Sequence, residues 1–366
     1  MALKCGIVGL PNVGKSTLFN CLSNAKAQSA NFPFCTIEPN IGVITVPDNR
    51  LSELEKIVHP ERVVPTTIEI VDIAGLVKGA HKGEGLGNQF LANIRETDAI
   101  IHVLRCFDDD NIVHVDGSID PIRDKEVIDF ELQLKDLETV ENKLNSLKRA
   151  AKSGDKDIVK QYAFCEKLKT TLEAGNSART VIPEGDVEEE MMKNLQLLTA
   201  KPVLYLCNVD EASVKNGNEY TSKVQEIADK EGAEMLIIGT KIEADIAEFE
   251  TFEERQLFLE ELGLEEAGVN RLIRAAYRLL DLQTYFTAGV KEVRAWTVPV
   301  GATAPEAAGV IHSDFEKGFI RAEVIKYNDF VELGSELAVK EAGKLKVEGK
   351  GYVVEDGDIM HFRHNV

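Results

Sequence analysis

The chain has 366 residues, with 42 Lys and Arg against 62 Asp and Glu, and a formal net charge of −20. This length suits two or three domains, and a hydrophobic fraction of 44% supplies a sizeable core, which excludes wholesale disorder. No segment approaches about 18 uninterrupted apolar residues, so no membrane span is expected. Because phosphate neutralisation supplies most of the affinity for nucleic acids, so acidic a chain should not coat RNA in bulk, and no DNA partner is expected.

The cysteines and the N-terminus indicate the cellular compartment in which the protein is expected. The six cysteines show no C-x-x-C spacing, which removes the usual zinc and redox motifs. Several lie in apolar runs, as Cys207 does, and we interpret them as buried, reduced thiols. The N-terminus runs directly into an apolar strand without the regions of a signal peptide. A cytoplasmic location is therefore expected.

Short apolar runs predict the strands of a largely parallel sheet. Helical stretches separate these runs, which is typical of βαβ units and of an α/β fold. The predicted strands lie at 3–10, 68–72, 99–106, 202–207 and 235–239.

A phosphate-binding motif follows the first strand. Residues 9–16 read Gly-Leu-Pro-Asn-Val-Gly-Lys-Ser and match G-x-x-x-x-G-K-[ST] in full, between a strand and a helix as the motif requires. Its backbone N–H groups and the helix N-terminus bind phosphate oxygens. Lys15 is placed to reach the β- and γ-phosphates, and the Ser16 hydroxyl to ligate Mg²⁺. The predicted nucleotide-binding residues here are Asn12, Val13, Gly14, Lys15, Ser16 and Thr17.

Two further segments could complete the magnesium site. Asp72 begins Asp-Ile-Ala-Gly at the end of the strand 68–72, where a carboxylate can hold the magnesium shell. Thr36 lies between the two motifs and can join the shell while a γ-phosphate is present, although an ordinary loop threonine is the alternative. We predict Mg²⁺ as the cofactor, with Ser16, Thr36 and Asp72 as its ligands.

The segment after the strand 202–207 indicates which nucleotide base the protein binds. Guanine-specific P-loop proteins carry N-K-x-D there, and its Asp accepts two hydrogen bonds from guanine. Here Val209 replaces the lysine, Glu211 replaces the terminal aspartate, and Asp210 is one position out of register. The longer Glu211 would not reproduce the Asp geometry, so ATP is favoured over GTP. We predict Asn208, Val209 and Glu211 as nucleotide contacts.

The middle of the chain has a different pattern. A heptad stripe of apolar residues runs from Leu137 to Leu172 and is interrupted near Gly154. This predicts two helices folded into an antiparallel hairpin, with ordinary amphipathic helices as the alternative, and a third helix near 184–199. Residues 142–170 carry eight basic groups against three acidic ones. That charge indicates either a solvated face or a contact to the phosphate backbone of an RNA.

The last section is predicted to be a small β-rich domain. Its strand-like runs lie at 293–298, 319–326, 351–354 and 359–362. The resulting domain prediction is a discontinuous nucleotide domain at 1–130 and 200–282, a helical insertion at 131–199 and a C-terminal domain at 283–366.

These segments together resemble the YchF-type ATPases, a subfamily of the Obg-related P-loop NTPases, essentially from end to end. The resemblance rests on residues 9–16, 31–36 (Asn-Phe-Pro-Phe-Cys-Thr), 72–80 and 208–211. It implies a P-loop (G-domain) α/β sheet interrupted by a helical antiparallel hairpin, followed by a TGS domain of the ubiquitin-like β-grasp type. It also implies ATP hydrolysis and association with the large ribosomal subunit or the whole ribosome.

The resemblance does not identify the group that orients the attacking water. Leu76 stands where Ras-type relatives carry a catalytic Gln, and its side chain cannot hydrogen-bond to water. A neutral imidazole can, so we predict His114 as a catalytic residue together with Lys15. His81 is a weaker candidate, and an ordinary surface histidine is the alternative for both.

Two matters remain open from the sequence. Asn12 resembles the asparagine of potassium-stimulated relatives, so K⁺ is a further predicted cofactor. The main functional hypothesis is an ATP-hydrolysing regulatory switch acting on ribosomes, in translation or stress response. An Obg-type GTPase and a nucleotide-dependent binding module with incidental hydrolysis are the alternatives.

Overall fold

The computed structural model describes residues 3–28, 41–73, 86–114, 117–153 and 155–365. The chain divides into two compact units, Met1–Val43 with Glu69–Leu272 and Ile44–Ile68 with Ile273–Val366. Within the described ranges no helix is long and apolar enough to cross a membrane. The cysteines in these ranges are buried and reduced, as predicted.

The elements of the first half of the chain are β1 (Lys4–Val8), α1 (Lys15–Gln28), β2 (Ile41–Thr45), α2 (Asn49–Val58), β3 (Val63–Val64), β4 (Thr67–Asp72), α3 (Leu86–Arg95), β5 (Ala99–Arg105), α4 (Pro121–Ala150) and α5 (Lys156–Glu173). The elements that follow are α6 (Asp186–Leu195), β6 (Val203–Asn208), α7 (Glu219–Glu231), β7 (Glu234–Ile238), α8 (Thr240–Glu248), α9 (Phe252–Glu261), α10 (Gly268–Leu279), β8 (Leu282–Ala288), β9 (Val293–Pro299), α11 (Ala304–Ile311), α12 (Ser313–Lys317), β10 (Phe319–Ile325), α13 (Tyr327–Leu333), α14 (Glu336–Glu341), β11 (Lys346–Glu348) and β12 (Ile359–His364).

The first unit is built on a sheet of order β2-β4-β1-β5-β6-β7. Strand β1 pairs in parallel with β4 and β5, and β6 continues the parallel pairing from β5 to β7. Every residue of β5 and β6 is buried, which explains why these strands are apolar without alternation. The predicted α/β fold is confirmed. Because the strands are parallel, the carboxyl ends of β1, β5, β6 and β7 lie along one edge of the sheet.

Helices α4 and α5 form the predicted hairpin. Asp120 caps α4 by accepting hydrogen bonds from the N–H groups of Ile122 and Arg123, and Pro121 stands at the first helical position. Helix α4 therefore starts at Pro121, and the predicted boundary at 131 falls inside one continuous helix. The apolar stripe forms one buried cluster between the two helices, which includes Val140, Leu147, Phe164, Leu168 and Leu172. Helix α6 is the predicted third helix.

The second unit contains a mixed sheet of order β11-β10-β12-β8-β9-β3. Consecutive residues of a strand point to opposite faces, and Tyr285 and Phe286 show that both faces of this sheet are covered. Tyr285 packs in a cluster with alanines of α11, whereas Phe286 packs in a cluster with Leu54 of α2 and Phe330 of α13. The C-terminal section therefore contains helices as well as the predicted strands.

Two predictions about the second unit need correction. Residues 44–68 were assigned to the nucleotide domain, but β3 pairs with β9 and α2 packs on the C-terminal sheet. The strand predicted at 351–354 is absent from this described segment, where Val353 forms only an isolated bridge to Thr303. The other predicted domain boundaries stay predictions.

Candidate nucleotide site

The phosphate-binding loop connects β1 to α1. Helix α1 begins at Lys15, so the loop ends at the first turn of a helix, whose N–H groups can bind phosphate. Gly14 has a φ of 99°. A Cβ atom at this position would collide with the side-chain amide of Asn208 and lie 3.0 Å from Oγ1 of Thr240. Both the backbone conformation and the available space therefore require glycine at position 14.

A cleft of about 710 Å³ opens beside this loop, a volume typical of small-ligand sites. Four segments at the carboxyl edge of the sheet form it. They contribute Asn12, Gly14, Lys15, Ser16 and Thr17; Phe107, Asp108, Asp109 and Ile112; Asn208, Val209, Asp210 and Glu211; and Thr240, Lys241, Ile242, Ala244 and Asp245. Among the predicted nucleotide-binding residues only Val13 does not line the cleft.

Lys15 and Asp72 influence each other's protonation. Burial lowers the pKa of Lys15 below its usual value, and the charge of Asp72 opposes this shift. Burial likewise raises the pKa of Asp72, and Lys15 opposes that shift. The Oδ1 atom of Asp72 is buried and has no hydrogen-bond partner among the described residues. A carboxylate oxygen in this state fits a hydrated Mg²⁺, and the exposed Ser16 at the cleft carries a hydroxyl of the kind that ligates this ion.

The side chain of Asn208 links two walls of the cleft. Its Nδ2 donates to the backbone carbonyl of Val13 at 2.9 Å, and its Oδ1 accepts from the backbone N–H of Thr240 at 3.0 Å. The side chain is buried, and both ends of its amide are used. Asn208 was predicted to contact the nucleotide; in this structure its amide joins the phosphate loop to the turn between β7 and α8.

The other residues of this segment differ in burial: Val209 is buried, whereas Asp210 and Glu211 are both exposed at the cleft. The Oδ1 atom of Asp210 accepts from the N–H of Ser213 at 2.9 Å, so this carboxylate caps the turn that follows β6. Val209 is 4% exposed and contributes an apolar surface. Glu211 is exposed at the cleft. Glu211 is therefore the carboxylate in this segment best placed to meet a base.

Residues 107–114, here called the β5 loop, form the opposite wall. The guanidinium of Arg105 is buried beneath the loop and donates to the carbonyls of Phe107, Asp109 and Ile112 at 3.2, 3.0 and 2.9 Å. Asn12 of the phosphate loop donates to the carbonyl of Val113 at 3.1 Å. These four hydrogen bonds fix the backbone of the β5 loop and attach it to the phosphate loop.

His114 ends the β5 loop and is not a surface histidine. Its side chain is 6% exposed, and its Nε2 lies 2.8 Å from Oδ2 of Asp124, which is 1% exposed. The residue before it, Val113, is 75% exposed. The imidazole is therefore turned inward onto the first turn of α4. It does not line the cleft, although the loop that carries it does.

Sequence reasoning missed part of the cleft. It did not name Phe107, Ile112, Thr240, Lys241 or Ile242. A usable signal existed, because these residues follow two predicted strands of a parallel sheet, and ligands bind outside the carboxyl ends of such strands. Thr36, Leu76 and His81 lie outside the described residues, so their predicted roles stay predictions.

Two family models match the chain. The first is described as a 50S ribosome-binding GTPase and matches residues 4–143. The second, YchF-GTPase_C, is described as a protein of unknown function (DUF933) and matches residues 282–365. The two matched ranges cover the phosphate loop and the C-terminal sheet.

Proteins with similar sequences match over the whole chain. A protein of Haemophilus ducreyi named ribosome-binding ATPase YchF is 60% identical, and one of Bacillus subtilis with the same name is 55% identical, each over 100% of both chains. The solved structure of the Schizosaccharomyces pombe YchF GTPase is 40% identical, with a TM-score of 0.89 over 99% of this chain and 98% of that one. These likenesses, together with the phosphate loop and its cleft, show that the chain belongs to the YchF family of P-loop NTPases.

Proposed function

We propose that this protein is a ribosome-associated ATPase, which hydrolyses ATP to ADP and phosphate and acts as a regulatory switch in translation or stress response. The full-length relatives named ribosome-binding ATPase support the activity and the partner. The fission yeast relative is named a GTPase, so the choice of base has to rest on the site itself.

The geometry after β6 carries the preference for ATP. Guanine recognition by this segment needs an aspartate at position 211 that accepts two hydrogen bonds; Glu211 stands there instead, and Oδ1 of the neighbouring Asp210 is used to cap the following turn. Glu211 is exposed at the cleft and can accept a hydrogen bond from the amino group of adenine. Val209, Ile112 and Ile242 supply apolar surface on which a base can lie.

The phosphates and the metal are assigned to the phosphate loop and to Asp72 at the end of β4. Lys15 and the N–H groups at the start of α1 bind the β- and γ-phosphates and neutralise the charge that develops during transfer. Ser16, Asp72 and the predicted Thr36 would hold Mg²⁺, which supplies charge stabilisation to the phosphate oxygens when bound. The low exposure of Lys15 strengthens its interaction with phosphate, since burial reduces screening by water.

His114 is proposed to orient the attacking water in place of the glutamine of Ras-type relatives. The hydrogen bond from Asn12 to the carbonyl of Val113 holds the residue before His114 beside the phosphate loop. The imidazole contacts Asp124 in this structure, so it would have to turn toward the cleft to meet the attacking water. His114→Ala should lower kcat by about 100-fold, within the range for loss of a general base, and leave ATP binding intact. A variant that hydrolyses ATP at the parent rate would remove His114 from the mechanism.

A competition titration tests the base preference. Displacement of a fluorescent ATP analogue at fixed Mg²⁺ should require at least about tenfold less ATP than GTP. Glu211→Ala should weaken ATP by about tenfold, the loss of one hydrogen bond to a charged group, and leave GTP unchanged. Glu226→Ala, an exposed acid on α7, is the matched control and should change neither affinity. Equal displacement by GTP would favour the Obg-type GTPase.

The end of the α4–α5 hairpin is proposed to contact ribosomal RNA. Lys148, Arg149, Lys152 and Lys156 surround the turn between the helices and are exposed. Clustered cations of this kind neutralise backbone phosphates and release counterions. Reversing the charge of Lys148, Arg149 and Lys152 should reduce co-sedimentation with ribosomes, most strongly at low salt, and should make binding less dependent on salt. Reversal of the exposed lysines 193, 223 and 230 is the control, and equal losses in both variants would refute a specific contact.

Co-sedimentation with ribosomes also distinguishes a regulatory switch from a binding module with incidental hydrolysis. A switch should bind ribosomes differently with ATP and with ADP, and His114→Ala should remain in the ATP-bound behaviour. Binding that is unaffected by the nucleotide and by loss of turnover would favour the module.

A further inference from the structure

We infer that Arg105 is a positioning residue for ATP binding, which holds the β5 loop in its binding shape before the nucleotide enters the cleft. The inference rests on the proposed function in one respect, since it takes the cleft as the ATP site. It concerns a buried cation outside the phosphate loop, the metal ligands and the base segment, whose own side chain does not line the cleft.

The β5 loop has little structure of its own. None of residues 107–114 belongs to a helix or a strand. Within this described segment a single backbone hydrogen bond closes a turn, from the N–H of Ile112 to the carbonyl of Asp109 at 3.1 Å, and Oδ1 of Asp109 accepts from the N–H of Asn111 at 2.9 Å. These local bonds leave most of the loop carbonyls to find partners elsewhere.

Arg105 supplies the hydrogen bonds that hold the loop. Its backbone is set by the sheet, because it is the last residue of β5 and pairs with Asn208 of β6. From this position Nε, Nη1 and Nη2 donate to the carbonyls of Phe107, Ile112 and Asp109. The three acceptors meet three different nitrogens of one planar group, so the rigid guanidinium fixes their positions relative to one another.

The residues held in this way also line the cleft. Phe107, Asp109 and Ile112, whose carbonyls bind Arg105, belong to the cleft wall together with Asp108. The guanidinium carbon lies 4.8 Å from the centre of the Phe107 ring, so a cation–π contact also sets the orientation of this aromatic side chain. A wall that is ordered before binding lowers the entropic cost of binding. Loss of the guanidinium should therefore weaken ATP binding.

The far end of the loop is held by other residues. The carbonyl of Val113 accepts from Asn12 at 3.1 Å, and the ring of His114 contacts Asp124 at 2.8 Å. Neither contact involves Arg105. A change at Arg105 should therefore act on the affinity for nucleotide rather than on the rate of hydrolysis once ATP is bound.

Arg105→Lys is the test, because it keeps the positive charge and removes the planar fork. We expect the Kd and the KM for ATP to rise by about 10-fold to 100-fold, with kcat at saturating ATP within about threefold of the parent. Arg255→Lys is the matched control, since Arg255 on α9 donates twice to the carbonyl of Phe249 and lies outside the cleft. This control should keep the parent Kd and KM. Calorimetry with a non-hydrolysable ATP analogue measures the Kd, at a temperature at which circular dichroism shows each variant to be folded.

The binding data distinguish positioning from a purely structural role. If Arg105→Lys melts at a lower temperature but, when folded, binds the analogue with the parent Kd, Arg105 only stabilises the fold and the inference is wrong. A fall in kcat at the parent KM would also overturn it. The same titration with GTP tests the proposed base preference separately: a parent that binds GTP more tightly removes that preference, whereas weaker binding of both nucleotides by Arg105→Lys still supports the role of Arg105.

Hydrogen exchange of the parent protein gives a second test that needs no variant. If Arg105 orders the loop before ATP arrives, the amide of Ile112 should be protected to the same extent without nucleotide and with the analogue. Protection that appears only with the analogue would show that the nucleotide orders the loop, which contradicts the inference.

Discussion

Asn208 should stabilise the folded nucleotide site through its buried side-chain amide. It forms two buried hydrogen bonds, to Val13 and Thr240, which belong to different walls of the cleft. Asn208→Ala removes both and leaves a carbonyl and an N–H group without these partners. Each lost bond is worth about 0.5–1.5 kcal/mol, and each buried group left unsatisfied costs about 1–3 kcal/mol. Two groups left unsatisfied should therefore lower the free energy of unfolding of the first unit by about 2–6 kcal/mol.

Thermal unfolding followed by near-ultraviolet circular dichroism measures this loss. For a domain of about 150–250 residues, 1 kcal/mol shifts the melting temperature by about 2–4 °C, so a decrease of about 4–24 °C is expected. ATP affinity measured by calorimetry should also fall, because the two walls are no longer held together before binding. Asn142→Ala, on the exposed side of α4, is the control and should change stability by less than about 0.5 kcal/mol. An unchanged melting temperature in Asn208→Ala would refute the reasoning.

Two further predictions concern ions. Burial raises the pKa of Asp72, so its ionised form destabilises the folded chain when no metal is bound. Asp72→Asn should therefore raise the melting temperature at about pH 7, and the difference from the parent should shrink as the pH falls through the raised pKa. The Mg²⁺ concentration needed for hydrolysis should increase in the same variant. A lower melting temperature at neutral pH would contradict this reasoning. If the side-chain carbonyl of Asn12 binds K⁺, turnover in potassium salts should exceed that in sodium salts and Asn12→Ala should remove the difference, whereas equal turnover of the parent in both salts would exclude the K⁺ role.

Much of the nucleotide site could be predicted because its signals are local in the sequence. The phosphate loop needs glycines and a Lys-Ser pair at fixed spacing, and Asp72 ends a short apolar strand. The position of Asp124 could not be predicted in this way. Its contact with His114 depends on where α4 begins, and the heptad pattern that revealed the helix becomes visible only at Leu137. The pair Asp120-Pro121 is a recognisable helix start signal in the sequence, and it lies 16 residues or more before the apolar stripe.

The sequence also did not predict that residues 44–68 belong to the second unit. Strand β3 has two residues, too few for any periodicity, and it pairs with β9 far along the chain. At 351–354 a strand was predicted that the structure does not contain, because the apolar residues of this segment are typical of a strand. Val353 instead forms one bridge and is 50% exposed. Short runs specify a strand only through their partners, and the partners are set by tertiary structure.

The net charge of −20 does not oppose a contact between the hairpin and RNA, because charges in solution act over a limited range. At physiological ionic strength the Debye length is about 8 Å. Along α4, Lys148 lies about 36 Å from Asp124 at a rise of about 1.5 Å per residue, and the packing of Val140 and Leu147 against α5 supports the helix over this span. The acidic groups near the start of α4 are therefore screened from the basic turn. The salt dependence of ribosome binding should report the local positive charge of the hairpin end rather than the charge of the whole chain.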